Sequence, residues 1–188
     1  NTGHIFGDFK AAADYVAHEF AHAVTCKCSE LDVKDTEQSA LHESLSDVFG
    51  ITFRHWRTYR DDKTAKVEWR FGEGTAPISF SCTRNLADPE DVTAWEQGLS
   101  VMPDNPAACD AYALSAVATL AFHDVAVKKG DLLGAAKIWY RALSDAGMKN
   151  VKTFLDFAGL TVNVANGDKA IVCEAWTSVG LNACPPPL

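Results

Sequence analysis

The most constraining feature of this 188-residue chain is an H-E-x-x-H motif, His18 to His22, within the apolar, alanine-rich run 11–25. This run is predicted to be a helix that ends near Cys26. Residues four apart lie about 40° apart around a helix axis, so His18 and His22 can bind one metal ion from the same side. Glu19 points about 100° away from His18, close enough to reach a water on that metal without ligating it.

A second predicted helix supplies carboxylates for the same site. It begins near Thr36 and runs to about Arg57, with apolar residues at helical spacing. Within it, Glu43 and Asp47 lie one turn apart on one face. A catalytic zinc ion takes three protein ligands and keeps a fourth position for water. We therefore expect one carboxylate to complete the site and the other to accept a hydrogen bond from a ligand histidine.

The remainder of the chain predicts a mainly α-helical fold, organised as a single domain over residues 1–188. Four further helices are predicted, over residues 111–128, 132–145, 151–164 and 169–179. Residues from about 59 to 105 show no sustained period and are rich in Gly, Pro, Asp and Thr. We expect this long irregular segment to be ordered by its contacts, with short strands at most.

Charge and hydropathy exclude several classes of partner. The net charge of −8 argues against binding to nucleic acid and to an anionic membrane surface. No stretch approaches the ~20 apolar residues of a membrane-spanning helix. No signal peptide is visible, and the chain begins at Asn1 rather than Met, which is compatible with removal of an upstream segment.

The six cysteines favour disulfide bonds and a secreted or extracytoplasmic location, with buried free thiols as the alternative. A cysteine-rich zinc site is disfavoured because the chain contains no C-x-x-C pair. Cys26 and Cys28 are too close to pair comfortably with each other. The pairing among six cysteines is one of fifteen possibilities.

The segments HEFAHAVT and SALHESLSDVFG resemble the thermolysin family of zinc metallopeptidases, in the gluzincin clan. Further landmarks of that family follow in order: WRFGE at 69–73, TRNLADP at 83–89, DN at 104–105 and KIWYRAL at 137–143. The closing VGLNACPPPL is similar to the end of the elastase-like members. The resemblance implies a thermolysin-like C-terminal helical subdomain plus the H-E-x-x-H helix, without the family's β-rich N-terminal subdomain.

The resemblance also implies roles for individual residues. The zinc ligands correspond to His18, His22 and Glu43. Glu19 corresponds to the general base, which takes a proton from a zinc-activated water that attacks a peptide carbonyl. Asp47 matches the carboxylate bonded to His18, and Arg84 matches the arginine that holds the substrate carbonyl. The implied function is therefore a zinc-dependent metalloendopeptidase that acts on peptide or protein substrates.

The chain departs from the family at the substrate cleft. In the family, the edge strand that binds the peptide backbone belongs to the N-terminal subdomain, which forms the upper wall of the cleft. We expect this wall to be missing or to be supplied by a second chain. Cys109 stands where the family has its transition-state histidine, and losing such a donor costs about 10²–10³ in rate. We expect Cys109 to form a disulfide with Cys82, with a free thiol near the metal or a metal ligand as the alternatives.

A third departure concerns the family's double calcium site. Asp14, Glu68 and Glu73 keep carboxylates there, whereas Arg54 and Arg70 take the places of the other two. Two cations at these positions exclude Ca²⁺ and replace it with ion pairs. Calcium is therefore not expected.

Three functions remain open. The first is an active metallopeptidase with an open cleft and weakened stabilisation of the oxyanion. Glu19 favours this function, because a purely structural zinc site needs no base. The second is a catalytically weak or inactive pseudo-peptidase that binds a protein, which Cys109 and the missing subdomain favour. The third is a hydrolase of non-peptide amides.

Overall fold

Six α-helices dominate the computed structural model, which describes residues 13–60, 62, 64–77 and 79–184. They are α1 (Ala13–Cys28), α2 (Thr36–Tyr59), α3 (Ala111–Lys129), α4 (Leu132–Ser144), α5 (Phe154–Val164) and α6 (Lys169–Ser178). The predicted mainly α fold is confirmed, and the bounds differ from the expected ones by at most three residues. Residues 11 and 12, where α1 was predicted to begin, lie outside the described residues.

Aspartate side chains cap the starts of α2, α3 and α4. The Asp35 carboxylate accepts a hydrogen bond from the backbone N–H of Gln38 and so caps α2. Asp110 caps α3 in the same way. Gly130 ends α3 with a left-handed φ of 63°, and Asp131 then caps α4. These stops and starts lie where the sequence predicted them.

The main core is built around large aromatic side chains from α3 to α6. Trp139 and Trp176 are fully buried, with their rings stacked 6.0 Å apart. Phe122 packs edge-on against Trp139 at 5.2 Å, and the Trp176 indole donates a hydrogen bond to Thr161 Oγ1. Aromatic burial of this kind contributes both apolar area and specific ring geometry. Because α2 packs against α3 and α4, this core holds the carboxylate-bearing helix in place.

The irregular segment carries one very short hairpin, in keeping with the prediction. Strand β1 (Arg70–Phe71) pairs antiparallel with β2 (Arg84–Asn85), with Phe71 opposite Arg84. Phe71 is fully buried in a small second core with Ile51 and Leu86. The hairpin therefore presents Arg84 to α2.

A close approach joins α1 to α2. A Cβ at Gly50 would lie only 2.7 Å from the backbone oxygen of Asp14, so only glycine allows this separation. Asp14 is 1% exposed; its Oδ2 lies 2.5 Å from Arg54 Nη1 and accepts the backbone N–H of Gly72 at 3.0 Å. The expected ion pair is thus confirmed at Arg54, whereas Arg70 lies exposed. The exclusion of calcium stays a prediction.

None of the helices in the described part of the chain combines the length and apolar character that a membrane crossing requires.

Replacing Arg54 by Met is expected to lower the free energy of unfolding by about 3–5 kcal/mol, because it leaves the buried Asp14 carboxylate without its cation. Urea denaturation at pH 7 measures the change. Arg57→Met, at an exposed position of the same helix, is the matched control and should stay within about 0.5 kcal/mol of wild type. Equal destabilisation of the two variants would contradict the assigned role.

Added Ca²⁺ is expected to leave the melting temperature unchanged, because the Arg54 guanidinium already neutralises Asp14. Thermal unfolding with calcium or with magnesium as the control ion measures this. A ligand that binds the folded state raises Tm with its concentration. A calcium-specific rise in Tm would therefore refute the expectation.

Candidate metal centre

Two imidazoles from α1 and one carboxylate from α2 converge on a common point. His18 Nε2 lies 3.0 Å from His22 Nε2 and 3.4 Å from Glu43 Oε2. His22 Nε2 lies 3.8 Å from Glu43 Oε1. Tetrahedral zinc, with bonds of about 2.0–2.2 Å, places neighbouring ligand atoms roughly 3.3–3.6 Å apart. Among the described residues this trio is the one such cluster of His, Cys, Asp or Glu, and its spacing suits zinc.

The polar atoms of the trio also fit a bound cation. Glu43 Oε2 is buried and accepts no well-directed hydrogen bond from any described residue, which is costly for a carboxylate oxygen. His18 is 4% exposed. Burial opposes protonation of His18, but its contacts with Asp47 and Glu43 outweigh burial and raise its pKa to about 9. The site is thus a negative pocket that attracts a proton or a metal ion.

Asp47 lies between His18 and Arg84. Its Oδ1 lies 2.8 Å from His18 Nδ1, a length that suits a hydrogen bond although the angle is poor. Arg84 donates to both Asp47 oxygens at 2.7 Å and forms a further ion pair with Glu96. Burial would raise the pKa of Asp47, but Arg84 and His18 hold it below its usual range. Asp47 is therefore a buried anion that orients one candidate ligand.

The other candidate ligand, His22, has partners that the sequence interpretation missed. Its Nδ1 lies 2.8 Å from His42 Nδ1 and 3.0 Å from Ser46 Oγ. If Nε2 binds a metal, the Nδ1 proton of His22 can be donated to either neighbour. Burial lowers the pKa of both histidines, which favours neutral rings. His42 precedes Glu43 and Ser46 lies one turn later, so the i, i+4 argument used for the carboxylates could have found both.

Glu19 is exposed on α1 beside the trio. Burial lowers the pKa of His22, and the negative charges of Glu43 and Glu19 partly offset that effect. The charge of Glu19 therefore acts on His22, while Glu19 itself remains accessible to solvent.

The expected disulfide between Cys82 and Cys109 is wrong. All six cysteines lie in the described part of the chain, and both of these are free thiols. The Cys109 thiol turns back towards the Asn105 carbonyl, 3.7 Å away, and Cys109 is not part of the converging trio. The disulfide that forms joins Cys173 of α6 to Cys184.

Both a family model and a solved structure match most of this chain. A family model described as "Thermolysin metallopeptidase, alpha-helical domain" matches residues 30–181, which include Glu43, Asp47 and Arg84. The precursor of protealysin, a metalloproteinase from Serratia proteamaculans, has a similar structure, with a TM-score of 0.81 and 27% identity. The alignment covers 96% of this chain and 61% of that one.

Two relatives that match almost the whole of this chain are also named as proteases. Protease PrtS from Photorhabdus sp. (strain Az29) is 28% identical over 95% of this chain and 53% of its own length. An extracellular metalloprotease from Pectobacterium carotovorum subsp. carotovorum is 29% identical over 95% of this chain and 56% of its own length. The chain thus spans about half the length of these relatives.

Replacing His42 by Phe is expected to weaken zinc binding about tenfold or more, because Phe keeps a ring beside His22 but cannot accept its Nδ1 proton. Competition with a zinc chelator measures the dissociation constant. His55→Phe, on the same helix and absent from the cluster, is the control. Equal zinc affinity in the two variants would show that His42 has no part in the site.

Proposed function

This chain belongs to the thermolysin metallopeptidase family, and we propose that it is a zinc-dependent endopeptidase that hydrolyses peptide bonds. The observation that supports this most directly is the convergence of His18, His22 and Glu43 at zinc-ligand spacing. Since the chain spans about half the length of its relatives, the activity of the whole protein is part of the proposal.

His18, His22 and Glu43 would hold the zinc ion. When bound, zinc supplies a Lewis acid that lowers the pKa of a water molecule towards about 7 and polarises the substrate carbonyl. Asp47 keeps the proton of His18 on Nδ1, which leaves the Nε2 lone pair free for the metal.

Glu19 is the proposed general base. A structural zinc site needs no carboxylate beside its ligands, whereas hydrolysis needs a group that accepts the proton of the attacking water. The exposed position of Glu19, next to His18 in the chain and electrically coupled to His22, suits that task. The proton then passes to the leaving amine.

Arg84 is the proposed contact for a substrate carbonyl. A guanidinium has five N–H groups. Three of them donate to Asp47 and Glu96, which leaves two for the substrate. The two carboxylates therefore hold the arginine in one orientation without using all of its donors.

Peptides or proteins are the proposed substrates, and the net charge of −8 argues against nucleic acid. An extracytoplasmic location suits the Cys173–Cys184 disulfide and the extracellular relative from Pectobacterium.

The decisive variant is Glu19→Gln, which removes the base but no metal ligand. We expect wild type to carry one zinc ion, to cleave unfolded casein, and to lose cleavage on chelation. Glu19→Gln should retain zinc and lose about 10²–10⁴ in kcat, the usual contribution of a general base. Glu30→Gln, at an exposed position outside the helices, is the control for loss of a carboxylate.

The outcomes separate the candidate functions. Less than one zinc per chain by metal analysis would remove the site. Full zinc occupancy without cleavage of casein or of a broad peptide library would favour a zinc-stabilised binding domain. Cleavage that survives in Glu19→Gln would exclude Glu19 as the base.

A further inference from the structure

A free thiol lies beside the metal centre, at one end of a row of three side chains. Cys26 is exposed near the end of α1, one helical turn after His22. Its sulfur lies 3.5 Å from Nε2 of His42, a residue that is only 6% exposed. The other ring nitrogen of His42, Nδ1, lies 2.8 Å from Nδ1 of His22. Direct contacts therefore run from a candidate metal ligand to a solvent-exposed sulfur.

The rings of His22 and His42 meet edge to edge. Their planes differ by 18° and their centres lie 4.7 Å apart. The 2.8 Å between the two Nδ1 atoms is shorter than the roughly 3.5 Å between stacked atoms, and it suits a hydrogen bond. Two protonated Nδ1 atoms would point their hydrogens at each other. One Nδ1 of the pair therefore carries a proton and the other accepts it.

Ser46 indicates which of the two rings carries that proton. Its hydroxyl has one hydrogen, which it donates to the backbone carbonyl of His42 at 3.0 Å. The hydroxyl oxygen therefore presents its lone pairs to Nδ1 of His22, 3.0 Å away. Both neighbours of this Nδ1 can then accept a hydrogen bond, which favours a proton on Nδ1 of His22. The same tautomer leaves Nε2 of His22 free for a metal ion.

The position of the proton on His42 follows from that on His22. Because Nδ1 of His42 accepts a hydrogen bond, this ring keeps its own proton on Nε2. That N–H is directed at Cys26, whose sulfur can accept it. A buried N–H without an acceptor is costly. The sulfur therefore favours this tautomer of His42 over the one with its proton on Nδ1.

Building on the proposed zinc site, we propose that Cys26 is a positioning residue for the metal centre. Its sulfur accepts the Nε2 proton of His42 and holds that ring in the tautomer that accepts from His22. Nε2 of His22 is thereby presented to the zinc ion, although Cys26 is not itself a ligand. Without the acceptor, the proton of His42 moves to Nδ1, where it opposes the proton of His22 and weakens zinc binding.

Cys26→Val tests this role, because it places a methyl group where the acceptor was. Competition with a zinc chelator should show an affinity about tenfold or more below that of wild type. Cys26→Ser restores an acceptor and should return the affinity to within about threefold of wild type. Ala23→Val places the same side chain at an exposed position of α1 and is the matched control.

A double variant separates positioning from general damage to the helix. Once His42→Phe has removed the ring nitrogens, adding Cys26→Val should cause no further loss of zinc affinity, because the two residues act as one unit. Nitrogen NMR of zinc-loaded wild type with isotopically labelled histidine reads the tautomer directly. It should show His42 protonated at Nε2 and bare at Nδ1.

Three results would overturn the role of Cys26 and leave the metal site standing. The first is zinc-loaded wild type with His42 protonated at Nδ1. The second is equal zinc affinity in Cys26→Val and Ala23→Val, and the third is additive losses in the double variant. Wild type that binds no zinc would overturn the proposed function, and the role of Cys26 with it.

Discussion

The close packing of α1 against α2 is the contact on which the rest of the structure depends. The two imidazoles and the carboxylate come from different helices, so the trio exists only while the helices stay at their present separation. Gly50 permits that separation, since any Cβ there would meet the backbone of Asp14. The Asp14–Arg54 ion pair joins the same two helices near this point. Backbone contact and buried charge therefore act together to place the candidate ligands.

A buried network of charges joins α1 and α2 to the irregular segment. Asp47 touches His18 and is bound by Arg84, and Arg84 also meets Glu96. Burying a carboxylate is costly unless it is paired and hydrogen-bonded, and here the arginine offsets the cost with two direct bonds. Arg84 therefore holds the Asp47 carboxylate beside Nδ1 of His18, 2.8 Å away, in the absence of a metal ion.

The convergence of the candidate metal ligands could be predicted because it depends on helical spacing. The pairs His18–His22 and Glu43–Asp47 are each four residues apart, so each needs only a helix to share one face. Contacts between distant segments are different. Glu96 lies in the irregular segment, where no period predicts which way a side chain points, and its ion pair with Arg84 was not foreseen. The wrong pairing of Cys82 with Cys109 has the same cause, because disulfides depend on spatial separation rather than on family position.

The central claim, that His18, His22 and Glu43 bind one zinc ion, is tested most directly by anomalous X-ray scattering from crystals of the zinc-loaded protein. At the zinc absorption edge the account predicts one strong peak, about 2.0–2.2 Å from both Nε2 atoms and from a Glu43 carboxylate oxygen. A peak beyond bonding distance of Glu43, or one placed at other side chains such as Cys26 and His42, would contradict it.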